Sequence, residues 1–326
     1  MLRRGLHLLG GSERAKRLAT GTSVTRAVSR RFVPGERIDS VVAAAEAVNQ
    51  QGLTATMNYL GEAVRTGALA RAAAGTYLEL LDRIRTDGLD ANISVKPTQL
   101  GQEIDEQLLL ENLETILERS RPGSIFVRID MESSRYTKGT LAAFETLWSR
   151  GHRNVGVVLQ SALRRTEGDV GRMIELGARV RLCKGAYAEP TSVAFDSTRE
   201  IRRSFFRSMK RLLREGSYPA IATHDEGLIQ SARKLVQREG IRRDAFEFQL
   251  LYGVRRDLQE ALVADGYRVR VYIPFGEMWY PYLMRRLAER PENFFFLVGN
   301  VLRESPLGVL WPGGNSSPPS NHGGRG

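Results

Sequence analysis

The sequence predicts an α/β fold in which eight parallel strands close into a (β/α)8 TIM-type barrel, preceded by N-terminal helices. Three observations predict it. Short runs rich in Val, Ile, Leu or Phe alternate with longer stretches of helically spaced apolar residues, and parallel strands need crossovers of that kind. Eight such units fit within about 230 residues, the scale of one closed barrel. No Gly-rich dinucleotide fingerprint follows the first run, which weighs against the alternative, an open doubly wound sheet.

Taken in order, residues 1–50 read as a helical arm broken at Pro34-Gly35, with Asp39 positioned to cap the Ala/Val-rich run that follows. The strand-like runs are 53–60, 91–95, 124–131, 154–160, 179–184, 220–224, 245–251 and 268–273. Between them, sets such as Leu108, Leu109, Leu113, Ile116 and Leu117 recur at helical spacing. Residues 51–300 are assigned to the barrel. From Trp311 the chain is Gly, Pro, Ser and Asn with almost nothing to bury, so the 301–326 tail is expected to be disordered.

Composition excludes several classes. No apolar run approaches the roughly 18 residues of a membrane span. Cys183 is the single cysteine, which rules out an internal disulfide and a cysteine-based zinc site. His7, His152, His224 and His322 show no metal-ligand spacing, so no metal is expected. Net charge is +11, and the first 31 residues carry one acid, Glu13, among many arginines. They lack a secretory h-region, so a cytoplasmic location is expected. The basic arm could lie on the anionic inner face of the cell membrane, and a solvated helical arm is the alternative. Basic residues are spread over many segments without a recognised module, so nucleic acid is not an expected partner.

Chemistry in such barrels sits at the carboxyl ends of the strands. Those ends here carry Glu62, Lys96, Asp130-Met131-Glu132, Gln160, Arg181, Lys184-Gly185-Ala186-Tyr187, Thr223-His224-Asp225 and Tyr272. One charged strand end is ordinarily a solvated loop residue, but buried charges need partners or a ligand, and nearly every end is polar. The ring of ends is expected to hold Lys96, Arg181 and Lys184 near Asp130 and Glu62. Tyr282, Arg285, Arg286 and Glu289 share one helical face. They read either as a carboxylate clamp or as a surface Arg–Glu pair. Lys184-Gly185-Ala186 reads as a close approach to a planar or phosphorylated ligand, or as a tight βα turn. His224 reads as an acid–base group, a flavin contact or a satisfied core histidine. Cys183 reads as a small apolar packing residue.

Ile93-Ser94-Val95-Lys96, Arg128-Ile129-Asp130-Met131-Glu132, Val157-Val158-Leu159-Gln160, Arg181-Leu182-Cys183-Lys184-Gly185-Ala186-Tyr187, Ala222-Thr223-His224 and Tyr282-Leu283-Met284-Arg285-Arg286-Leu287-Ala288-Glu289 resemble, in order, the motif series of proline dehydrogenases. The series is shared with the barrel domain of proline utilization A proteins, and this chain looks like the short, monofunctional bacterial type. The likeness runs from about Arg31 to Asn300. It departs at Cys183, where a small aliphatic residue is usual, and at Ala188, where bulkier residues are common.

The resemblance implies a distorted (β/α)8 barrel holding FAD non-covalently. It implies oxidation of L-proline to Δ1-pyrroline-5-carboxylate by hydride transfer to flavin N5, with electrons passed to a membrane quinone and the product handed to a separate dehydrogenase. By the same match, Asp130 and Arg181 are catalytic. Lys96, Arg285 and Arg286 hold the substrate carboxylate, and Tyr272 and Tyr282 wall the proline ring. Met131, Gln160, Arg181, Lys184, Gly185, Ala186, Thr223 and His224 contact the flavin, and Glu62 pairs with Arg286 as a gate. Near Thr191-Ser192 the following helix would offer N–H groups to the FAD phosphates. One rival is a Schiff-base aldolase using Lys96 or Lys184. The other is a non-catalytic binder of membranes or nucleic acid, suggested by the charge.

Overall fold

A computed structural model of the chain describes residues 29–289, and side chains through Met284. Ser29–Leu283 form one compact unit, and Met284 is grouped with a second. The first part of the basic arm and the 301–326 tail lie outside the described residues.

The chain begins with helix α1 (Ile38–Asn49) and then alternates. Strand β1 (Thr54–Tyr59) is followed by α2 (Gly67–Thr86), β2 (Ala91–Val95) by α3 (Glu106–Ser120), and β3 (Val127–Ile129) by α4 (Ser134–Ser149). Then come β4 (Val155–Gln160) and α5 (Thr166–Glu175), β5 (Arg179–Cys183) and α6 (Thr198–Glu215), and β6 (Ala220–Ala222) and α7 (Glu226–Glu239). Strand β7 (Glu247–Leu251), α8 (Arg256–Ala264), β8 (Val269–Phe275) and α9 (Trp279–Glu289) complete the series. Each predicted run matches one strand, and β8 extends two residues beyond its run, to Phe275. All neighbours pair in parallel, and β8 returns to β1 with Thr54 against Arg270 and Tyr59 against Phe275, so the sheet is a closed barrel.

Local chemistry sets the helix starts. Thr66, Asp105, Ser197 and Asp225 each accept a bond from a backbone N–H three residues on, which satisfies one of the orphan donors of α2, α3, α6 and α7. Two expectations are corrected. Asp39 does not cap α1; Arg37 holds that position, and Asp39 lies in the first turn, where its carboxylate meets Arg83 at 2.8 Å. The helix after β5 starts at Thr198, not near Thr191, because Ser197 supplies its cap.

The strands alternate, and their two faces differ in chemistry. Ala55, Met57, Ile93, Val95, Val127, Ile129, Val180, Leu182, Phe248 and Leu250 belong to the apolar core, together with Tyr77, Leu80, Phe144 and Phe205 of the surrounding helices. Their strand neighbours face the barrel axis and are polar, with Thr56, Asn58, Asn92, Ser94, Arg128, Arg181, Glu247, Gln249 and Arg270 all buried. Barrels of this class are usually filled by Val, Ile and Leu. Here the apolar core is the layer between sheet and helices, and the axis is a hydrogen-bonded column. Helix α1 packs against both β1 and β8 and covers the seam where the barrel closes. Among the described residues no helix is long and apolar enough to cross a membrane.

Candidate active site

Asp130, the residue after β3, is the hub. Its Oδ1 accepts from Ser94 Oγ at 2.5 Å and from Arg181 Nη1 at 2.8 Å. Its Oδ2 accepts from Lys96 Nζ at 3.0 Å and from the Tyr272 hydroxyl at 2.9 Å. These groups come from β2, β3, β5 and β8. Strands so far apart can touch only across the barrel interior, so the cluster sits on the axis near the carboxyl ends. Lys96, Asp130 and Arg181 are all buried. The predicted convergence of Lys96, Arg181 and Asp130 is what the fold brings together.

The charges determine one another. Burial pushes the Asp130 carboxyl up, but Lys96 and Arg181 outweigh it and hold the group below its ordinary value. Burial opposes the Lys96 ammonium, yet Tyr272, Asp130 and Glu62 keep it protonated well above the usual lysine range. Burial and then Asp130 raise Tyr272, so it remains a phenol that donates. Lys96 is engaged as a donor to Asp130, a placement that does not favour a Schiff-base nucleophile. Lys184 does not join the cluster. It lies in the loop after β5, and its Nζ meets Asp225 at 2.8 Å, beside Arg202.

The column continues below. Arg181 Nε donates to Gln249 Oε1 at 2.5 Å, Gln249 donates to Glu247, and Arg270 Nε lies 3.0 Å from Glu247 Oε1. Arg181 Nη2 is buried with no hydrogen-bond partner.

The rim holds the remaining expected residues. Gln160 Nε2 donates to the carbonyls of Met131 and Glu132 and so ties β4 to the end of β3. Buried Glu132 accepts from Thr98 N at 2.9 Å and Thr98 Oγ1 at 2.6 Å. Thr98 in turn holds Ala63 N and Val64 N, the loop that carries Glu62. His224 Nε2 accepts from Leu251 N at 3.0 Å, so the ring bridges the ends of β6 and β7 and leaves Nδ1 as its donor. Thr223 Oγ1 accepts from Asp225 N. Gly185 and Ala186 are exposed at the loop after β5, and Gly185 has φ +99°. Cys183 packs half-buried against the core. Tyr282 is buried. Arg285, Arg286 and Glu289 fall in α9 with the expected helical spacing, but their side chains, and with them the clamp and the gate to Glu62, lie outside the described residues.

Sequence reasoning missed Ser94, Gln249, Thr98 and Asn58 as members of these networks. The signal existed for two of them. Ser94 stands two before Lys96 and Gln249 two after Glu247, so each shares an inward face with a charged residue.

The comparisons agree with one another. The proline dehydrogenase family profile matches residues 41–297. A proline dehydrogenase of Deinococcus radiodurans is 38% identical over 280 residues, covering 85% of this chain and 90% of that protein. Proline dehydrogenase 2 of Bacillus subtilis is 38% identical over 272 residues, covering 83% and 89%. Among solved structures, proline utilization A from Bdellovibrio bacteriovorus inactivated by N-propargylglycine superposes with a TM-score of 0.78 at 24% identity. That match covers 91% of this chain but only 36% of the larger protein, so it speaks for the barrel alone. From its profile match and these relatives, the chain belongs to the proline dehydrogenase family.

Proposed function

We propose that this protein is an FAD-dependent L-proline dehydrogenase that forms Δ1-pyrroline-5-carboxylate and delivers electrons to a membrane quinone. The observation that carries the reading is Arg181 Nη2, a buried donor without an acceptor beside the Asp130–Lys96 cluster. Leaving such a donor unsatisfied costs about 1–3 kcal/mol, and an acceptor on a bound flavin would recover it. Gly185 keeps the rim in place, because a Cβ there would stand 2.7 Å from Gln160 Oε1 and crowd the residue that organises it. These residues suit a flavin.

In this reading Arg181, Met131, Gln160, Lys184, Gly185, Ala186, Thr223 and His224 hold FAD non-covalently. When bound, FAD supplies the hydride acceptor at N5 and the relay to quinone. The protein's part is placement and electrostatics. Lys96, Arg285 and Arg286 fix the substrate carboxylate, and Tyr272 and Tyr282 confine the ring. Asp130 pairs with Lys96 and Arg181 and aims them, and the Arg181 cation would stabilise negative charge growing beside it. His224, with Nε2 engaged, can donate only through Nδ1. The basic N-terminal segment would attach peripherally to the cytoplasmic membrane face, and the barrel would carry the catalysis. The product would pass to a separate pyrroline-5-carboxylate dehydrogenase.

Purified protein should be yellow, release FAD on denaturation, and bleach on adding L-proline. Folded protein that neither contains nor takes up FAD would sink the assignment. Arg285→Met and Arg286→Met should each raise the KM for proline roughly 30-fold to 150-fold, the effect of about 2–3 kcal/mol of charge-assisted bonding, while leaving FAD bound. Glu62→Ala should reproduce part of the Arg286→Met defect, and the double variant should be less impaired than the sum. Additive effects would remove the gate and leave the clamp.

A further inference from the structure

The amino-terminal face of the barrel, opposite the site above, holds an open cavity of about 520 Å³ lined by Arg121, Ser124, Phe126, Arg153, Asn154 and Arg179. Arg121 begins the turn that leads from α3 to β3, Arg153 and Asn154 precede β4, and Arg179 opens β5. Three guanidiniums thus converge from three consecutive βα units.

Two features separate this from a scatter of solvated arginines. First, none of the three forms an ion pair among the described residues, although many surface arginines of this chain do. Arg119 pairs with Asp82 at 3.4 Å and Arg150 with Glu114 at 2.9 Å. Second, the three are held in place by contacts that leave their charge unneutralised. Arg179 lies over the rings of Phe126, at 5.1 Å, and Tyr218, at 5.0 Å. Arg153 lies 4.3 Å over Trp148 and donates to the Trp148 and His152 carbonyls. Arg121 Nη2 stands 3.3 Å from His152 Nδ1. The excess continues inward. Arg128 lies 4.8 Å over the same Phe126 ring, and its buried Nε has no partner. Burial and then the like charges of Arg181 and Arg179 disfavour its cation.

We infer that this cavity binds a phosphate-bearing anion. Fixed, planar, always-charged forks suit phosphate oxygens bidentately, and the volume exceeds that of one inorganic phosphate. Such a group arrives either on a free phosphorylated metabolite or on the headgroup of an anionic phospholipid. The site is independent of proline chemistry and would be present whether or not that reading holds.

The test uses the FAD-loaded full chain at constant ionic strength. Pyrophosphate binding is measured by calorimetry, and cosedimentation is measured with vesicles containing phosphatidic acid. Arg153→Gln with Arg179→Gln should weaken binding of one of these probes about 100-fold, roughly tenfold per lost fork. The Arg153→Lys and Arg179→Lys pair keeps charge but loses the forks and should bind between wild type and the Gln pair, which guards against misfolding as the cause. The probe that responds identifies the source of the phosphate. Binding of neither probe, equal binding by the Gln pair, or an equal loss from Arg207→Gln with Lys210→Gln on α6 would overturn the inference.

Discussion

Asp130→Ala is expected to unfold the protein about 3–5 kcal/mol more easily and to remove measurable proline turnover, because it strands two buried cations at once. The carboxylate is the shared acceptor of Lys96, Arg181, Ser94 and Tyr272. The gentler Asp130→Asn keeps the shape and removes the charge. Losing two charge-assisted bonds should lower kcat/KM by roughly 100-fold to 10,000-fold. The pH dependence has a definite sign. Asp130 titrates lower in the folded protein, so its stabilisation is present above the unfolded value near 4 and is lost as pH falls through the folded value. Lys96 titrates higher when folded, so its share is complete below about 10.4 and fades only as pH rises through the folded value. At neutral pH both contributions are intact. Urea unfolding at pH 7 and pH 3 should show a smaller acid-induced loss for Asp130→Asn than for wild type. An unchanged urea midpoint at pH 7 for Asp130→Ala would show that the cluster is not a stability element.

Glu247→Leu should be as destabilising without touching the reacting end. Glu247 and Arg270 are buried together, and Arg270 also donates to Ala55 O at 2.7 Å. Burial pushes the Glu247 carboxyl up, and Arg270 outweighs this and holds it low. Removing the acid leaves a desolvated guanidinium with no counter-charge, at about 3–5 kcal/mol, which corresponds to a fall in Tm on the order of 10 °C. Adding Arg270→Met should restore most of the loss, since buried ion pairs are often replaceable by apolar residues of similar volume. Calorimetric melts of both single variants and the double variant close the cycle. A double variant no more stable than Glu247→Leu would mean that Arg270 acts through its carbonyl bond instead. Because Gln249 links Glu247 to Arg181, the single variant should also disturb turnover modestly.

The barrel was legible because strand and helix runs alternate in length and periodicity, and no tertiary information is needed to see that. The cluster was legible in part. Lys96, Asp130 and Arg181 stand at or near predicted strand ends, and a closed barrel forces such positions toward one mouth. What escaped were contacts set by register between distant strands. Nothing local says that Lys184 will turn outward to Asp225, or that Asp39 will prefer Arg83 to its own helix end. Ser94 and Gln249 looked like ordinary polar strand residues, and only their period-two spacing from Lys96 and Glu247 marked them. His224 was left with three readings, and the contact the fold adds is a backbone N–H on a neighbouring strand.

The seam covered by α1 has a consequence for how the chain is made. Thr54 and its neighbour Arg270 are synthesised far apart in time, roughly 10–40 s at ribosomal rates of about 5–20 residues per second. Throughout that interval the β1 edge destined for β8 has no mate, and such an edge is a template for pairing with other nascent chains. Here α1 is already synthesised and can shield the apolar face of Ala55 and Met57. The other face shows Thr54, Thr56 and Asn58, which water satisfies. A polar barrel axis therefore keeps the waiting strand soluble on the ribosome, where a Val/Ile-filled axis would leave it sticky.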